Sequence, residues 1–235
     1  MGEYATALVR ATEKHVTSDL SKILELRTDN GGPGYRSRLR AAVKAARAEV
    51  DRQFGSDEIR EVLETNRERV NAFTFDRYLS QVDAADIDED RREELIALGR
   101  IDPPSELRRQ WDKENRSLIK SIQRDHFQGV VETIVEAAAT ATAVGVVARH
   151  ARKRYGIVRR RARTIADDQS EKLAGRIDKS RQVAAGLDKY RWRTMLDDRV
   201  RDAHAAREGQ VYSWAESPIP GEEVNCRCAA EPVFT

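Results

Sequence analysis

Cysteine is nearly absent from this 235-residue chain: there are two, Cys226 and Cys228, with one residue between them. In an extended strand, residues so spaced lie roughly 6.6–7 Å apart, beyond comfortable disulfide reach. No bridge between them is expected, and the chain reads as made in a reducing compartment. Aromatic residues are scarce at 6%, while charged residues reach 35%, a balance that favours long solvated helices over a β-sandwich. Long apolar runs are missing too. The longest uncharged stretch, Ala137 to Ala148, is made of small residues and is too short to span a bilayer. The first residues, Met1 to Thr6, have no basic flank and no apolar run, so neither a signal peptide nor a membrane role is expected. No sign of charge dominates. A net charge of +2 excludes a chain that coats nucleic acid along its whole length, and any such role must be local. Arginine outnumbers lysine by 33 to 9. Arginine's planar fork suits carboxylates and phosphates, and a GC-rich genome gives the same bias.

What is present is helical periodicity. Apolar residues recur at helical spacing over residues 3–28, until Thr28-Asp-Asn-Gly-Gly-Pro-Gly34 breaks the pattern. Helices are expected from Ser37 past Val50, from about 57 to 72 with Ser56 as cap, and from Ile87 to Leu98. Residues 76–83 are ambiguous. The Pro103-Pro104-Ser105 break marks the main boundary, and a helix starts at Ser105 and runs through Trp111, Leu118, Ile119 and Ile122. Small side chains over Ala137–Gly145 permit close helix approach. A further helix is expected over Val158–Leu187.

The tail differs in texture. Arg191 to Leu196 alternates like a strand, Asp197 can cap a short helix from Asp198 to Glu208, and Gly209 stops it. Gln210 to Trp214 and Val224 to Ala229 read as two more strands. The expected fold is mainly α with a small C-terminal α+β module, long helices followed by a short antiparallel sheet. A module of about 45 residues is too small to stand alone, so it should pack on the preceding helices. Three segments result: 1–104, 105–189 and 190–235.

Two of the three tryptophans, one of the four histidines and both cysteines fall within this tail. Their order is Trp192, Thr194, Asp197, Arg199, Val200, Arg201, His204, then Gly209, Trp214, Pro220-Gly221 and Asn225-Cys226-Arg227-Cys228. This arrangement resembles the phage head-morphogenesis family, the Mu gpF-like minor capsid proteins. Upstream, Trp111, Asn115, Leu118 and Ile119 resemble the family's opening segment, and Arg161, Ala162, Ile165, Ala166 and Gln169 a second one. The resemblance therefore covers about Ser105 to Pro232, and residues 1–104 carry none. It implies a non-enzymatic minor head protein of a virion or prophage, assembled in the host cytoplasm. Its implied partner is the portal protein, with the major capsid or scaffold protein as further contacts and DNA as an alternative one.

Three groups of residues invite chemistry. Cys226, Cys228 and His204, with Asp197, could make a mixed-ligand zinc site. A C-x-C pair in an extended strand rarely brings its sulfurs within the roughly 4 Å that one ion needs, so both thiols are expected to pack as apolar groups, with metal binding and redox or intersubunit bridging as the alternatives, and no cofactor is expected. Asp197, Arg201, His204 and Glu208 recur at helical spacing, and with Arg199 and Arg227 they suggest a charged network instead of a catalytic triad. Finally, Arg149, Arg152, Lys153, Arg154, Arg159, Arg160, Arg161 and Arg163 make a basic stretch, with no acid between Glu136 and Asp167. On a helix-turn-helix corner such a patch would meet solvent, an acidic partner or phosphates. Trp192 and Trp214 are expected to anchor the core from neighbouring strands.

Overall fold

The computed structural model describes residues 56–139 and 144–234, with isolated positions between Ser37 and Arg52; for many residues from 122 to 159 it describes backbone only. The expected helix over 3–28, the break at 28–34 and most of the helix after Ser37 lie outside the described residues. So does much of the small-residue stretch over Ala137–Gly145.

Helix α1 spans Ser56–Asp83, longer than expected, and includes the ambiguous residues 76–83. No glycine or proline interrupts it, and Leu63, Val70, Thr74, Tyr78 and Val82 form one buried face at helical spacing. Helix α2, Glu89–Gly99, is capped by Asp88, whose carboxylate accepts from the Arg91 N–H at 2.8 Å. Its last residue, Gly99, lies against the Tyr78 ring, where an added Cβ would come within 2.3 Å of ring carbon. Helix α3, Ser105–Ala139, begins where the proline pair ends. Helix α4, Val144–Ala184, is continuous, so the basic stretch sits within a helix and not on a helix-turn-helix corner. Gly156 alone is too weak a break to stop it. The helix ends in a Schellman turn: Gly186, at φ +75°, donates to the Val183 carbonyl at 3.0 Å, and Leu187 to that of Gln182 at 2.8 Å.

The tail forms the expected three-stranded antiparallel sheet, in the order β2-β1-β3. Strand β1 is Lys189–Arg193, β2 is Val211–Ser213 and β3 is Ala229–Pro232. Tyr190 pairs with Tyr212 on one side and with Pro232 on the other. Two strands differ from expectation. β1 does not reach Leu196, because the Thr194 N–H and hydroxyl both donate to the Glu208 carboxylate, at 2.6 and 2.7 Å. That diverts the backbone group the ladder would need next. β3 starts at Ala229 because Asn225, at φ +56°, turns the chain just before it. The helix between β1 and β2, α5, is a single turn at Asp202–Ala205, not Asp198–Glu208.

The chain divides into two compact units. One combines Leu63–Asn115 with Asp167–Thr235 and so draws on all three sequence segments; the other holds the remaining residues. In the second unit, Arg161 of α4 pairs with Asp125 of α3 at 2.5 Å. The first unit contains the sheet. There Tyr78, Val82, Leu95, Ala185 and Leu187 form one apolar cluster. Tyr190, Trp192, Trp214, Cys226, Cys228 and Ala230 form another.

Polar residues of α4 hold these pieces in register. Arg181 donates to the Gly99 carbonyl and to the Asn71 side chain, each at 2.9 Å, and Asp178 is paired with Arg77. Gln182 is fully buried. Its oxygen accepts from the Trp214 indole at 3.0 Å, and its nitrogen donates to the Ala230 carbonyl at 3.1 Å.

Gln182→Leu keeps the volume and removes both bonds. It should cost about 2–4 kcal/mol in urea unfolding, the penalty for two buried groups left without partners. Burial pushes the Asp178 carboxyl up to about 6, against the opposing pull of Arg77 and Arg181. The unfolded value is near 3.9, so the contribution of Asp178 to stability is present below about pH 4 and is lost as pH rises through about 6. The stability of Asp178→Asn relative to wild type should therefore rise between pH 4 and pH 7 in matched denaturation curves.

Candidate functional site

The three motif segments named from the sequence meet through hydrogen bonds. The Trp111 indole donates to the Gln169 carbonyl at 3.0 Å, and the Asn115 side chain donates to the Trp111 carbonyl at 2.9 Å and to the Gln169 side chain at 3.2 Å. Gln169 donates in turn to Asp168 at 3.2 Å. The other oxygen of Asp168 accepts from the Asn225 backbone N–H at 2.6 Å, and Lys172 sits 2.9 Å from its first. Buried polar groups need partners, and here each segment supplies the other's.

Pro220-Gly221 is fitted to the same helix. A Cβ on Gly175 of α4 would lie 2.0 Å from the Pro220 carbonyl oxygen. A Cβ on Gly221, which has φ +91°, would lie 2.6 Å from the Glu171 carbonyl oxygen. Two glycines thus let helix and loop backbones touch directly. Arg176, one residue on, clamps the loop with two bonds to Glu222, at 2.9 and 2.6 Å, and reaches Glu114 of α3 at 3.0 Å.

Beneath the loop, His204, Cys226 and Cys228 converge. They are 3%, 3% and 7% exposed. The α5 turn presents the imidazole, and the left-handed Asn225 turns the following chain inward; asparagine tolerates that conformation better than most residues. His204 Nδ1 lies 3.5 Å from the sulfur of Cys226 and 3.5 Å from that of Cys228. The two cysteines are free and lie outside any strand. They lie in the segment leading into β3, not in the strand expected over Val224 to Ala229. The other ring nitrogen, Nε2, is 3.0 Å from Glu223 Oε2, close but not aligned as a regular hydrogen bond. Trp192 packs edge-on against the imidazole with centroids 5.5 Å apart, and the Arg207 guanidinium covers the indole at 4.9 Å. The Cys228 thiol and the backbone N–H groups of Cys228 and Gly221 hold the Cys226 thiol below its ordinary range, while the bond to Cys226 and burial push Cys228 up. The pair therefore shares its first negative charge.

The charged residues form a different network from the helical one expected. Asp197 and Glu208 lie outside α5, so they share no helix face with His204. Asp197 pairs with Arg227 at 2.7 Å and accepts from the Arg199 N–H at 3.2 Å; those bonds hold its carboxyl below the usual range. Arg201 reaches the Val224 carbonyl at 2.5 Å and Glu223 at 3.5 Å. Gly209, at φ +74°, donates to the Trp192 carbonyl at 2.9 Å. Trp214 follows β2 directly, and its ring lies tilted against that of Tyr190 with centroids 4.0 Å apart.

The basic stretch belongs to the other compact unit. Lys153, Arg160, Arg161 and Arg163 are exposed. The side chains of Arg149, Arg152, Arg154 and Arg159 lie outside the described residues.

Sequence reasoning missed Asp168, Arg176, Asp178, Arg181, Gln182 and Glu223. The signal was present: polar residues recur at helical spacing among Leu173, Ala174 and Ile177. A polar face, however, reads as a solvated one.

Residues 128–231 match the family model described as Phage Mu protein F like protein. Over this segment, less than half of the chain, the protein is similar to the Phage Mu protein F like family. The Mu F-like segment contains the basic stretch, Gln169, the Pro220-Gly221 loop and the His204, Cys226 and Cys228 group; Trp111 and Asn115 lie upstream of it. The chain is also similar to a protein of Haemophilus influenzae (strain ATCC 51907 / DSM 11121 / KW20 / Rd) described as "Uncharacterized protein". The two are 34% identical over 124 residues, 51% of this chain and 28% of that protein. The chain thus spans less than a third of that relative's length. No solved structure matches the chain.

Gly175→Ala should destabilise the protein by about 1–3 kcal/mol or more, because the intruding methyl meets backbone instead of a yielding side chain. Gly221→Ala should do the same, with left-handed strain added. Thermal unfolding of the two variants and of the pair checks this, and the pair should lose less than the sum, since both substitutions force one loop off one helix.

Proposed function

We propose that the protein is a minor head protein of a tailed phage or prophage. It docks on the portal during procapsid assembly, with coat or scaffold protein as further contacts, and it has no catalytic role. It resides at the portal vertex or inside the capsid, after assembly in the host cytoplasm. The observation that carries this reading is the Mu F-like segment, whose motif residues are engaged in joining helix, loop and sheet. Trp192, Gly209, Pro220, Gly221 and Asn225 position backbone, while Asp197 pairs with Arg227 and Thr194 with Glu208.

The surface supports a docking role. Leu196 is 79% exposed and held at φ +54°, a left-handed conformation costly for leucine. Met195 beside it and Val224 are exposed as well. Exposed apolar side chains on a strained turn suit a partner that covers them.

A second reading rests on a separate observation. Lys153, Arg160 and Arg163 are exposed along α4, in a stretch with no acid between Glu136 and Asp167. That stretch could bind DNA during packaging or ejection.

Co-expression with the portal protein encoded beside the gene, followed by size exclusion at about 0.15 M salt, tests the first reading. A complex of defined copy number, weakened by Leu196→Asp, is expected. A monomer that ignores the portal and binds DNA with steep salt dependence, lost in Arg160→Glu, would favour the second.

A further inference from the structure

We propose that His204, Cys226 and Cys228 form a zinc site. The single nitrogen His204 Nδ1 stands 3.5 Å from two sulfurs at once. A ring nitrogen offers one lone pair or one proton, so it can serve only one of those thiols as a hydrogen-bond partner. One ion between the three atoms serves all of them.

The distances fit. Tetrahedral zinc with bonds of about 2.3 Å to sulfur and about 2.0–2.1 Å to nitrogen sets sulfur and nitrogen about 3.5–3.6 Å apart. Both observed separations are 3.5 Å, and all three ligand atoms lie within 4.8 Å of one another. Tetrahedral zinc would hold the two sulfurs about 3.8 Å apart, inside the 4.8 Å that bounds the three atoms. Two thiolates and an imidazole are the donor set that suits zinc among the divalent ions.

The surroundings are those of a ligand set. Glu223 stands 3.0 Å from Nε2, the side of the ring away from the sulfurs. A carboxylate there favours the proton on Nε2 and leaves the Nδ1 lone pair facing the cysteines, the tautomer a metal requires. The backbone N–H groups of Gly221 and Cys228 face the Cys226 sulfur. N–H groups around sulfur favour thiolate. Cys226 and Cys228 bind as thiolates, so their two protons leave to solvent as zinc enters. A water takes the fourth position.

The ion would pin the α5 turn to the segment leading into β3. A module with so small a core gains most from such a link. The site stands apart from the assembly reading, since it rests on geometry alone.

The test uses the full chain without a histidine tag, grown with added zinc and measured by mass spectrometry for metal content. One zinc per chain is expected, together with a lower melting temperature after chelation. Cobalt added to the chelated wild type should give a thiolate-to-cobalt charge-transfer band, a readout that does not require a variant to fold. Glu223→Gln changes an exposed side chain and should weaken zinc about 10–100-fold in chelator competition. Cys226→Ser with Cys228→Ser should abolish binding. A zinc-replete preparation without metal and without a cobalt band would overturn the site. So would stoichiometric binding of a different metal, or zinc retained in the double serine variant.

Discussion

Gln182 engages both ends of its amide in the middle of the aromatic cluster: Trp214 on its oxygen and the Ala230 carbonyl on its nitrogen. Such an amide fits only one arrangement of helix and sheet, because every alternative strands a buried polar group. Its neighbours on α4 repeat the device. Asp168 fixes Asn225, Gln169 fixes Asn115, Arg176 fixes Glu222 and Arg181 fixes Gly99. Apolar packing supplies most of the stabilisation, but it is indifferent to direction. These bonds decide how the small sheet sits on its helix.

The same constraint shapes the centre around His204. Asn225 can turn left-handed and still be held, because its N–H meets Asp168. That turn swings Cys226 inward, and the loop packed against Gly175 closes over it. The three ligating side chains thus depend on contacts made several residues away. The proposed metal site would follow from the module's anchoring to the helix, and an ion there would add to that anchoring.

Much of this was readable from the sequence. Ser105, the proline pair before it and the Gly186 stop punctuate the helices clearly, and the alternation over Arg191 to Leu196 marks a strand, whose observed bounds are Lys189–Arg193. The family resemblance rested on rare residue types in fixed order, which survive a single-sequence reading. What the sequence hid were pairings across distance. Nothing near Gln182 announces that it is buried, and periodicity cannot tell an internal polar face from a wet one. The surroundings of the C-x-C pair were hidden for a related reason. Local geometry was inferred from an assumed strand, whereas the left-handed Asn225 and a carboxylate 57 residues earlier in the chain set it. The expected α5 was too long because Asp197 and Glu208 found partners in Arg227 and Thr194 instead of in a helix.

The C-terminal module and the helix beneath it form one cooperative unit. Native-state hydrogen exchange tests this directly. The amides of Trp192 and Gly209, bonded to the Gln210 and Trp192 carbonyls, report on the module. Those from Ile177 to Ala185 report on α4. The account predicts that both sets open with the same free energy and the same dependence on denaturant. Module amides that exchange at much lower cost, while α4 stays protected, would contradict it.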